Sequence, residues 1–285
     1  VHAIAVEGNF DDCQDLVKGL FNNHGFRDRV SLSGVNSINW ARIVAQVTYY
    51  FVAAVALGAP HRPVSFAVPT GNFGDILAGW VAKRMGLPIA KLVIASNEND
   101  ILPRAHATGA YEMRGVVETS SPSMDIQISS NFERYLFEAS GRDAGFIRGI
   151  MGALAQGGRF ELGPCAARFR EEFGAASASE ADVADAIRRT EAASGYLMDP
   201  HTACGLVALE RNVPQAEVPG IVLSTAHPAK FPDAMERITG ARPGLPPRLA
   251  SLLTDPERFP VIENDLGTVK RFVEGAVRPA PAGVV

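Results

Sequence analysis

The stretch Pro69-Thr70-Gly71-Asn72-Phe73-Gly74-Asp75 decides the fold, because two different patterns meet there. The apolar run 64–68 before it predicts a buried strand, and the helical spacing of apolar residues over 76–84 predicts a helix after it. The two glycines let the backbone turn sharply, and the N–H groups at a helix start attract an anion. The stretch therefore predicts either a cradle for a phosphate group or an ordinary tight connection between a strand and a helix.

The spacing of these glycines matches neither of two common nucleotide-binding motifs, G-x-x-x-x-G-K-S/T and G-x-G-x-x-G. A nucleotide-binding Rossmann protein is therefore disfavoured, and a phosphorylated cofactor of another kind is the expected ligand. The net charge of −4 and the isoelectric point of 5.9 argue against a nucleic-acid surface, which needs an excess of Lys and Arg.

Strands alternate with helices along the chain, which predicts an α/β fold with an open, mainly parallel sheet and helices on both faces. Short apolar runs at 91–95 and 221–224 are expected to be further strands of this sheet. Most patterns between them are helical. The predicted organisation is a sheet domain from residues 1–105 and 199–278, a largely helical extension at 106–198, and a disordered tail at 279–285.

The segment from Ser37 to Leu57 predicts a long helix that is apolar almost all round, and such a helix is expected in the interior. Its apolar run is too short to span a bilayer. The three cysteines are far apart, which fits buried thiols in a cytoplasmic protein better than a disulfide framework. The six histidines show no metal-ligand spacing, so no metal is expected.

Three further polar clusters lie where predicted elements begin or end, at 36–42, 199–203 and 224–231. In the first, Asn39 and Arg42 share a helix face, and an arginine buried in an apolar helix needs an anionic partner. In the second, capping of the next helix by His201 or Thr202 is favoured over a functional role. In the third, Lys230 follows a strand end. A Ser–His hydrolase is disfavoured because no G-x-S-x-G is present.

Taken in order, these motifs resemble the threonine synthase family, in its branch from bacteria and fungi, over residues 1 to about 275. The matching stretches are Asn36-Ser-Ile-Asn-Trp-Ala-Arg42, Pro69-Thr-Gly-Asn-Phe-Gly-Asp75, Asp199-Pro-His-Thr202 and Ser224-Thr-Ala-His-Pro-Ala-Lys-Phe231. The resemblance implies a pyridoxal-phosphate (PLP) enzyme of the tryptophan-synthase-β fold type, fold type II. It also implies conversion of O-phospho-L-homoserine and water to L-threonine and phosphate. The implied partner is a small phosphorylated amino acid.

The resemblance also assigns site residues. The loop that holds the cofactor phosphate corresponds to Gly71, Asn72, Phe73, Gly74 and Asp75. Thr225 corresponds to the hydroxyl that meets the pyridine nitrogen. Asp75 is expected to accept backbone N–H bonds within the turn or to hold a water. The phosphate of the substrate needs a second anion site, and the candidates on chemical grounds are Asn39, Arg42 and Lys230.

The family also needs a lysine that forms a Schiff base with PLP, and it lies in a Phe-Lys-Asp segment of the N-terminal part. This chain has no such segment, and its lysines are Lys18, Lys83, Lys91, Lys230 and Lys270. Lys230 is not assigned the Schiff-base role. The chain is therefore expected to be the C-terminal two-thirds of a threonine synthase, inactive without the N-terminal part of the same enzyme.

Two other readings stay open. Another PLP lyase of the same fold type, a dehydratase or a phospholyase for a different phosphorylated amino acid, would carry a similar loop at 71–75. A catalytically inactive cofactor-binding module would explain the absent lysine.

Overall fold

The computed structural model describes residues 2–8, 10–213 and 218–277, and the chain divides into two compact units. The larger unit is 36–245, and the smaller unit combines 1–35 with 246–285. The boundaries predicted from the sequence lie elsewhere, at residues 105, 198 and 278. The predicted division into a sheet domain and a helical extension stays a prediction. The predicted tail at 279–285 lies outside the described residues.

The strands are β1 (Ala5–Val6), β2 (Val64–Pro69), β3 (Ile89–Ser96), β4 (Ala110–Glu112), β5 (Arg159–Glu161), β6 (Phe173–Ser177), β7 (Gly220–Val222) and β8 (Val261–Ile262). The α-helices are α1 (Phe10–Asn22), α2 (His24–Arg29), α3 (Trp40–Ala56), α4 (Gly74–Arg84), α5 (Ile101–Thr108), α6 (Phe132–Ala139), α7 (Ala144–Gly157), α8 (Cys165–Glu172), α9 (Glu180–Ser194), α10 (Pro200–Asn212), α11 (Pro232–Thr239) and α12 (Leu266–Ala276). Short 3₁₀ helices lie at Pro122–Met124, Pro228–Lys230 and Pro247–Leu253.

A four-stranded parallel sheet forms the centre of the larger unit, in the order β6-β3-β2-β7. Successive side chains of a strand point to opposite faces. On β2, Phe66 and Val68 pack into the core that also contains residues of α3 and α4, whereas Ala67 packs with Ala208 of α10. Helices therefore cover both faces, and the predicted α/β fold with a mainly parallel sheet is confirmed.

The strand β6 was not predicted, because the segment FGAAS lacks the β-branched residues that mark a strand. It pairs with β3 from Leu92↔Phe173 to Ser96↔Ser177. Small residues suit this position, since a Cβ at Gly174 would lie 2.5 Å from Asn212 Oδ1 and 2.9 Å from Lys91 Cε. The segment predicted as a helical extension thus contributes an edge strand to the central sheet.

The helix α3 is buried on one face only, so the expectation that it lies in the interior is wrong. Ile43, Val47 and Tyr50 are buried at helical spacing. Val52 and Val55, in contrast, are 64% and 59% exposed. Hydropathy alone cannot separate an apolar face that packs from one that does not, because both contain the same residue types.

The smaller unit has its own apolar core and its own short sheet. In it, β1 pairs in parallel with β8, and Leu16, Leu20 and Phe26 pack against Val269. Within the described residues, no helix is both long and apolar enough to cross a membrane. The cytoplasmic location stays a prediction.

Candidate functional site

The turn between β2 and α4 holds a non-glycine residue in the left-handed region of backbone space. Phe73 has φ 61° and ψ 5°. Its buried ring packs against the rings of Phe132, Phe173 and Tyr135, with centroid distances of 5.1, 5.6 and 6.0 Å. Such a conformation is uncommon without glycine and persists only where the surroundings enforce it. The aromatic cluster provides that enforcement.

The two glycines of the turn are needed for close packing and not for a positive φ. A Cβ on Gly71 would lie 2.9 Å from the carbonyl oxygen of Ser123, a distance that real Cβ atoms do not show. A Cβ on Gly74 would lie 3.3 Å from Asn131 Nδ2, which is tight. Neither glycine has a positive φ. The turn is therefore pressed against the segment around Ser123 and the start of α6.

Hydrogen bonds fix the carbonyl groups of the turn and leave its N–H groups available. Ser129 Oγ donates to Gly71 O at 2.6 Å, and the backbone N–H and Nδ2 of Asn131 donate to Asn72 O at 3.0 and 3.1 Å. In the described part of the chain, no hydrogen bond uses the N–H groups of residues 71–75. N–H groups without an acceptor at the start of a helix form a suitable binding site for a phosphate group.

Asp75 accepts hydrogen bonds from two tyrosines, so the expectation that it accepts backbone N–H bonds within the turn is wrong. The alternative, that it holds a water, stays a prediction. The hydroxyl of Tyr49 donates to Asp75 Oδ1 at 2.5 Å, and that of Tyr50 donates to the same oxygen at 3.0 Å. Burial raises the pKa of the Asp75 carboxyl above its usual value, and the two hydroxyl donors partly offset this rise. Sequence reasoning missed both tyrosines, whose only signal is their helical spacing from Arg42.

One face of α3 lines the cavity in front of the turn. Arg42, Gln46, Tyr49 and Ala53 follow one another at helical spacing, and all four line this cavity. Arg42 is exposed, so the expectation of a buried guanidinium is wrong, and among the described residues its guanidinium makes no hydrogen bond or ion pair. Its contact with a substrate phosphate stays a prediction. Asn39 instead caps α3, where its Oδ1 accepts the N–H of Ala41 at 2.9 Å.

The start of α10 places a buried histidine at the same cavity. Asp199 Oδ1 accepts hydrogen bonds from His201 N and from His201 Nδ1, each at 2.9 Å, and Thr202 Oγ1 donates to Asp199 Oδ2. On its other side, His201 Nε2 accepts the N–H of Ser123 at 3.3 Å. This arrangement corresponds to a neutral ring with its proton on Nδ1. The sequence predicted His201 or Thr202 as the cap of this helix, but the cap is Asp199, and His201 instead lines the cavity.

The pKa of the Asp199 carboxyl is lowered. Burial acts to raise it, but the hydrogen bonds from His201 and Thr202 have a larger combined effect. The carboxylate form is therefore the stable one at the start of α10.

The loop after β7 also lines the cavity. Residues 221–226 line it together with Lys230, which is the only lysine among the described residues that line this cavity. Thr225 is exposed there. Ser224 Oγ lies 3.2 Å from the Tyr196 hydroxyl, and His227 Nδ1 accepts the N–H of Ala229 at 3.1 Å. Since His227 is used as a cap, no Ser–His pair forms in this loop.

The cavity measures about 720 Å³ and lies within the larger unit. It brings together Arg42, Gly71, Asp75, Thr225 and Lys230. A smaller adjoining cavity of about 110 Å³ is lined by residues 70–75 with Ser37, Arg42, Gln46 and Pro69. Asn39 lines neither of them. Across the described residues, no cluster of three or more His, Cys, Asp or Glu could hold a metal ion.

Comparisons with known proteins agree on one family. The family model described as threonine synthase, C-terminal, matches residues 202–273. The threonine synthase of Pseudomonas aeruginosa is 46% identical over 275 residues, which is 96% of this chain and 59% of the relative. That of Saccharomyces cerevisiae is 40% identical, with the same two coverages. The chain thus spans about three fifths of the length of these relatives.

Solved structures give the same result. The crystal structure of PLP-bound threonine synthase from Brucella melitensis has a TM-score of 0.92 and 56% identity, covering 98% of this chain and 60% of the other. The crystal structure of the yeast threonine synthase has a TM-score of 0.85 and 39% identity, covering 96% and 59%.

Proposed function

The chain belongs to the threonine synthase family, and on that premise we propose that it holds the phosphate-binding part of a PLP-dependent active site. The proposed reaction converts O-phospho-L-homoserine and water to L-threonine and phosphate. The observation that carries the proposal is that the turn with unused N–H groups shares one cavity with Arg42, Thr225 and Lys230. The cavity therefore offers one anion site for the cofactor and cationic side chains for the substrate.

The residues of the turn fit the phosphate group of PLP. The N–H groups of 71–74 precede α4, whose dipole favours negative charge at this end. The packing at Gly71 leaves no room for a side chain on that side of the turn. When bound, PLP supplies an electron sink that makes protons near the amino group of the substrate easier to remove. The hydroxyl of Thr225 would meet the pyridine nitrogen without imposing a charge on it.

Arg42 and Lys230 would hold the phosphate of the substrate. A guanidinium presents two parallel N–H donors to a phosphate, and an ammonium adds a compact charge. Both side chains are exposed and line the cavity, Arg42 from α3 and Lys230 from the segment after β7. A phosphate between them would be stabilised as it leaves the substrate carbon. Asn39 acts from further away in this proposal, by capping the helix that carries Arg42.

His201 and Asp199 support the turn. Asp199 keeps the proton of the imidazole on Nδ1, which leaves Nε2 to accept the N–H of Ser123. Ser123 in turn packs against Gly71. The pair therefore fixes the wall on which the anion-binding turn rests.

The lysine that would bind the carbonyl carbon of PLP is proposed to lie in the part of the family's length that this chain does not match. Incubating the chain with PLP, reducing it with borohydride and mapping modified lysines by mass spectrometry tests this. We expect no specific label at Lys230. Stoichiometric labelling of Lys230 would contradict the proposal and make this lysine the cofactor's anchor.

The reaction itself is tested in the full-length enzyme, which adds the part of the family's length that this chain does not match, by supplying PLP and O-phospho-L-homoserine. Equal amounts of phosphate and L-threonine are expected, measured by a colorimetric phosphate assay and amino-acid chromatography. O-phospho-L-threonine serves as the comparison substrate. Faster phosphate release from phosphothreonine would instead indicate a phospholyase for a different amino acid.

A further inference from the structure

We infer that Asp75 makes the turn select an oxyanion that carries a proton, so that the site binds phosphate in preference to sulfate. The inference rests on the proposed function, because it concerns the anion held by the same turn. It assigns Asp75 a role in specificity: its carboxylate accepts a hydrogen bond from the P–OH group of the ligand.

The two oxygens of this carboxylate have different surroundings. Oδ1 accepts both tyrosine hydroxyls, at 2.5 and 3.0 Å. No hydrogen bond to Oδ2 occurs within the described residues. Asp75 lines both the larger and the smaller cavity, beside Gly71. One oxygen is thus already occupied by protein donors, and the other remains for the ligand.

The carboxyl group cannot easily turn to exchange its oxygens. The ring of Tyr50 packs on Gly79 so closely that a Cβ there would lie 2.6 Å from the ring. Its hydroxyl also donates to the backbone oxygen of Asp75 at 2.9 Å. The aromatic ring is therefore wedged between α3 and α4, and it fixes the position of Oδ1.

The Asp75 carboxylate has no basic partner in an ion pair among the described residues. The titratable groups that face it from α3 are Tyr49 and Tyr50, both of which have a raised pKa because of burial. Arg42 of α3, His201 of α10 and Lys230 line the same cavity, yet among the described residues no basic side chain forms an ion pair with Asp75. An anion in the turn would therefore face a carboxylate, and a proton between the two removes the repulsion.

Phosphate can supply that proton and sulfate cannot. Near neutral pH inorganic phosphate is largely a dianion that keeps one P–OH group, whereas sulfate of the same charge and shape has none. A phosphate monoester reaches its protonated form at small cost, because its second pKa is about 6. In the complex the proton lies between a phosphate oxygen and Oδ2. No covalent bond changes.

The test is a pair of calorimetric titrations of the protein without cofactor, one with inorganic phosphate and one with sulfate, at pH 7.5. The wild type is expected to bind phosphate about tenfold more tightly or better, as for a hydrogen bond to a charged group. In Asp75→Asn this ratio should fall to near one. Asp185→Asn, which removes the same charge from an exposed position on α9, should keep the wild-type ratio.

The pH dependence of the wild type gives a measurement that needs no variant. As the pH falls from 8 to 6, the ratio of sulfate affinity to phosphate affinity should rise, by up to about tenfold per pH unit. The reason is that the Asp75 carboxylate can then take up a proton from solution and donate it to sulfate. Protonation of other groups in the cavity strengthens the binding of both anions, so its effect cancels in the ratio of the two affinities. Equal affinities for the two anions at pH 7.5, or a preference that persists in Asp75→Asn, would overturn the inference. Failure of the wild type to bind either anion would instead contradict the phosphate-binding turn of the proposed function.

Discussion

Arg42 lines the cavity on the exposed side of α3, and its guanidinium has no partner among the described residues. If it binds the phosphate of the substrate, Arg42→Ala in the full-length enzyme should raise KM for O-phospho-L-homoserine by about ten- to a hundredfold, the range for a charge-assisted bond. The affinity for PLP, measured by absorbance titration, should change little. Arg148→Ala removes an exposed arginine of α7 outside the cavity and serves as the control. An unchanged KM in Arg42→Ala would remove Arg42 from the site.

Asp199 gives a prediction about stability and pH. Because its pKa is lowered in the folded state, its ionised form stabilises the fold above the ordinary value of 3.8, and this contribution is lost as the pH falls through the folded value. Asp199→Asn should therefore lower the free energy of unfolding at pH 7 by about 1.5–3 kcal/mol, as expected when hydrogen bonds to a buried charged group are weakened. The difference should stay constant from pH 8 to 5 and narrow below 3.8 in urea denaturation.

A matched control for this variant is Asp143→Asn, which changes the exposed cap of α7 without a histidine partner. It should change the free energy of unfolding by well under about 1 kcal/mol, because Asn caps a helix about as well as Asp. Equal losses in the two variants would show that His201 adds nothing to the buried site.

At this scale the sequence predicts which residues surround the cavity better than it predicts their contacts. The glycines, Arg42 and Lys230 are visible in the sequence because their residue types suit an anion and stand at element boundaries. The hydrogen bonds from Tyr49 and Tyr50 to Asp75 join residues that are 26 and 25 positions apart, and they depend on how α3 crosses α4. No local pattern encodes that crossing.

The crossing of α3 and α4 depends on a glycine inside a helix. Gly79→Ala should improve helix propensity by about 1 kcal/mol but place a Cβ 2.6 Å from the ring of Tyr50. Overpacking of this kind costs about 1–3 kcal/mol, so the variant should be less stable overall in thermal denaturation. Gly152→Ala in α7 has nothing within 4 Å of the new Cβ and should be neutral or stabilising. If Gly79→Ala gained stability like Gly152→Ala, the close contact between the two helices would be refuted.

The elements themselves follow from local patterns where the pattern is strong. The strand β2, the turn and α4 were all predictable, because an apolar run, two glycines and a helical period succeed one another. The strand β6 was not, since its five residues become a strand only by pairing with β3. The exposed face of α3 was missed for a related reason: the apolar period of a helix gives no information about which neighbours are present.

For the whole molecule, binding of PLP should raise thermal stability, because a ligand that binds only the folded state stabilises it. At a concentration one hundred times the dissociation constant the gain is about 2.7 kcal/mol. Gly71→Ala should abolish most of this gain, since its Cβ would displace Ser123 from the turn. Differential scanning fluorimetry with PLP, and with pyridoxal, which lacks the phosphate, separates the stabilisation due to the phosphate group from that due to the rest of the cofactor. A full shift retained in Gly71→Ala would place the cofactor elsewhere.

The division of the chain into units could not be read from the sequence, although the fold class could. The predicted class follows from the alternation of strands and helices, which is a property of the sequence order. The grouping of 1–35 with 246–285 depends on contacts between segments more than two hundred residues apart, such as the pairing of β1 with β8. Both strands are two residues long and carry almost no periodic signal.

The aromatic cluster around Phe73 has a consequence for the speed of binding. Since the rings already hold this residue in its unusual conformation, the turn has little conformational entropy left to lose when an anion arrives. Association should therefore be limited by diffusion and charge, with rate constants that fall as salt is added. Substitutions that loosen the cluster would act mainly by slowing arrival, whereas those that remove a ligand contact would shorten the lifetime of the complex.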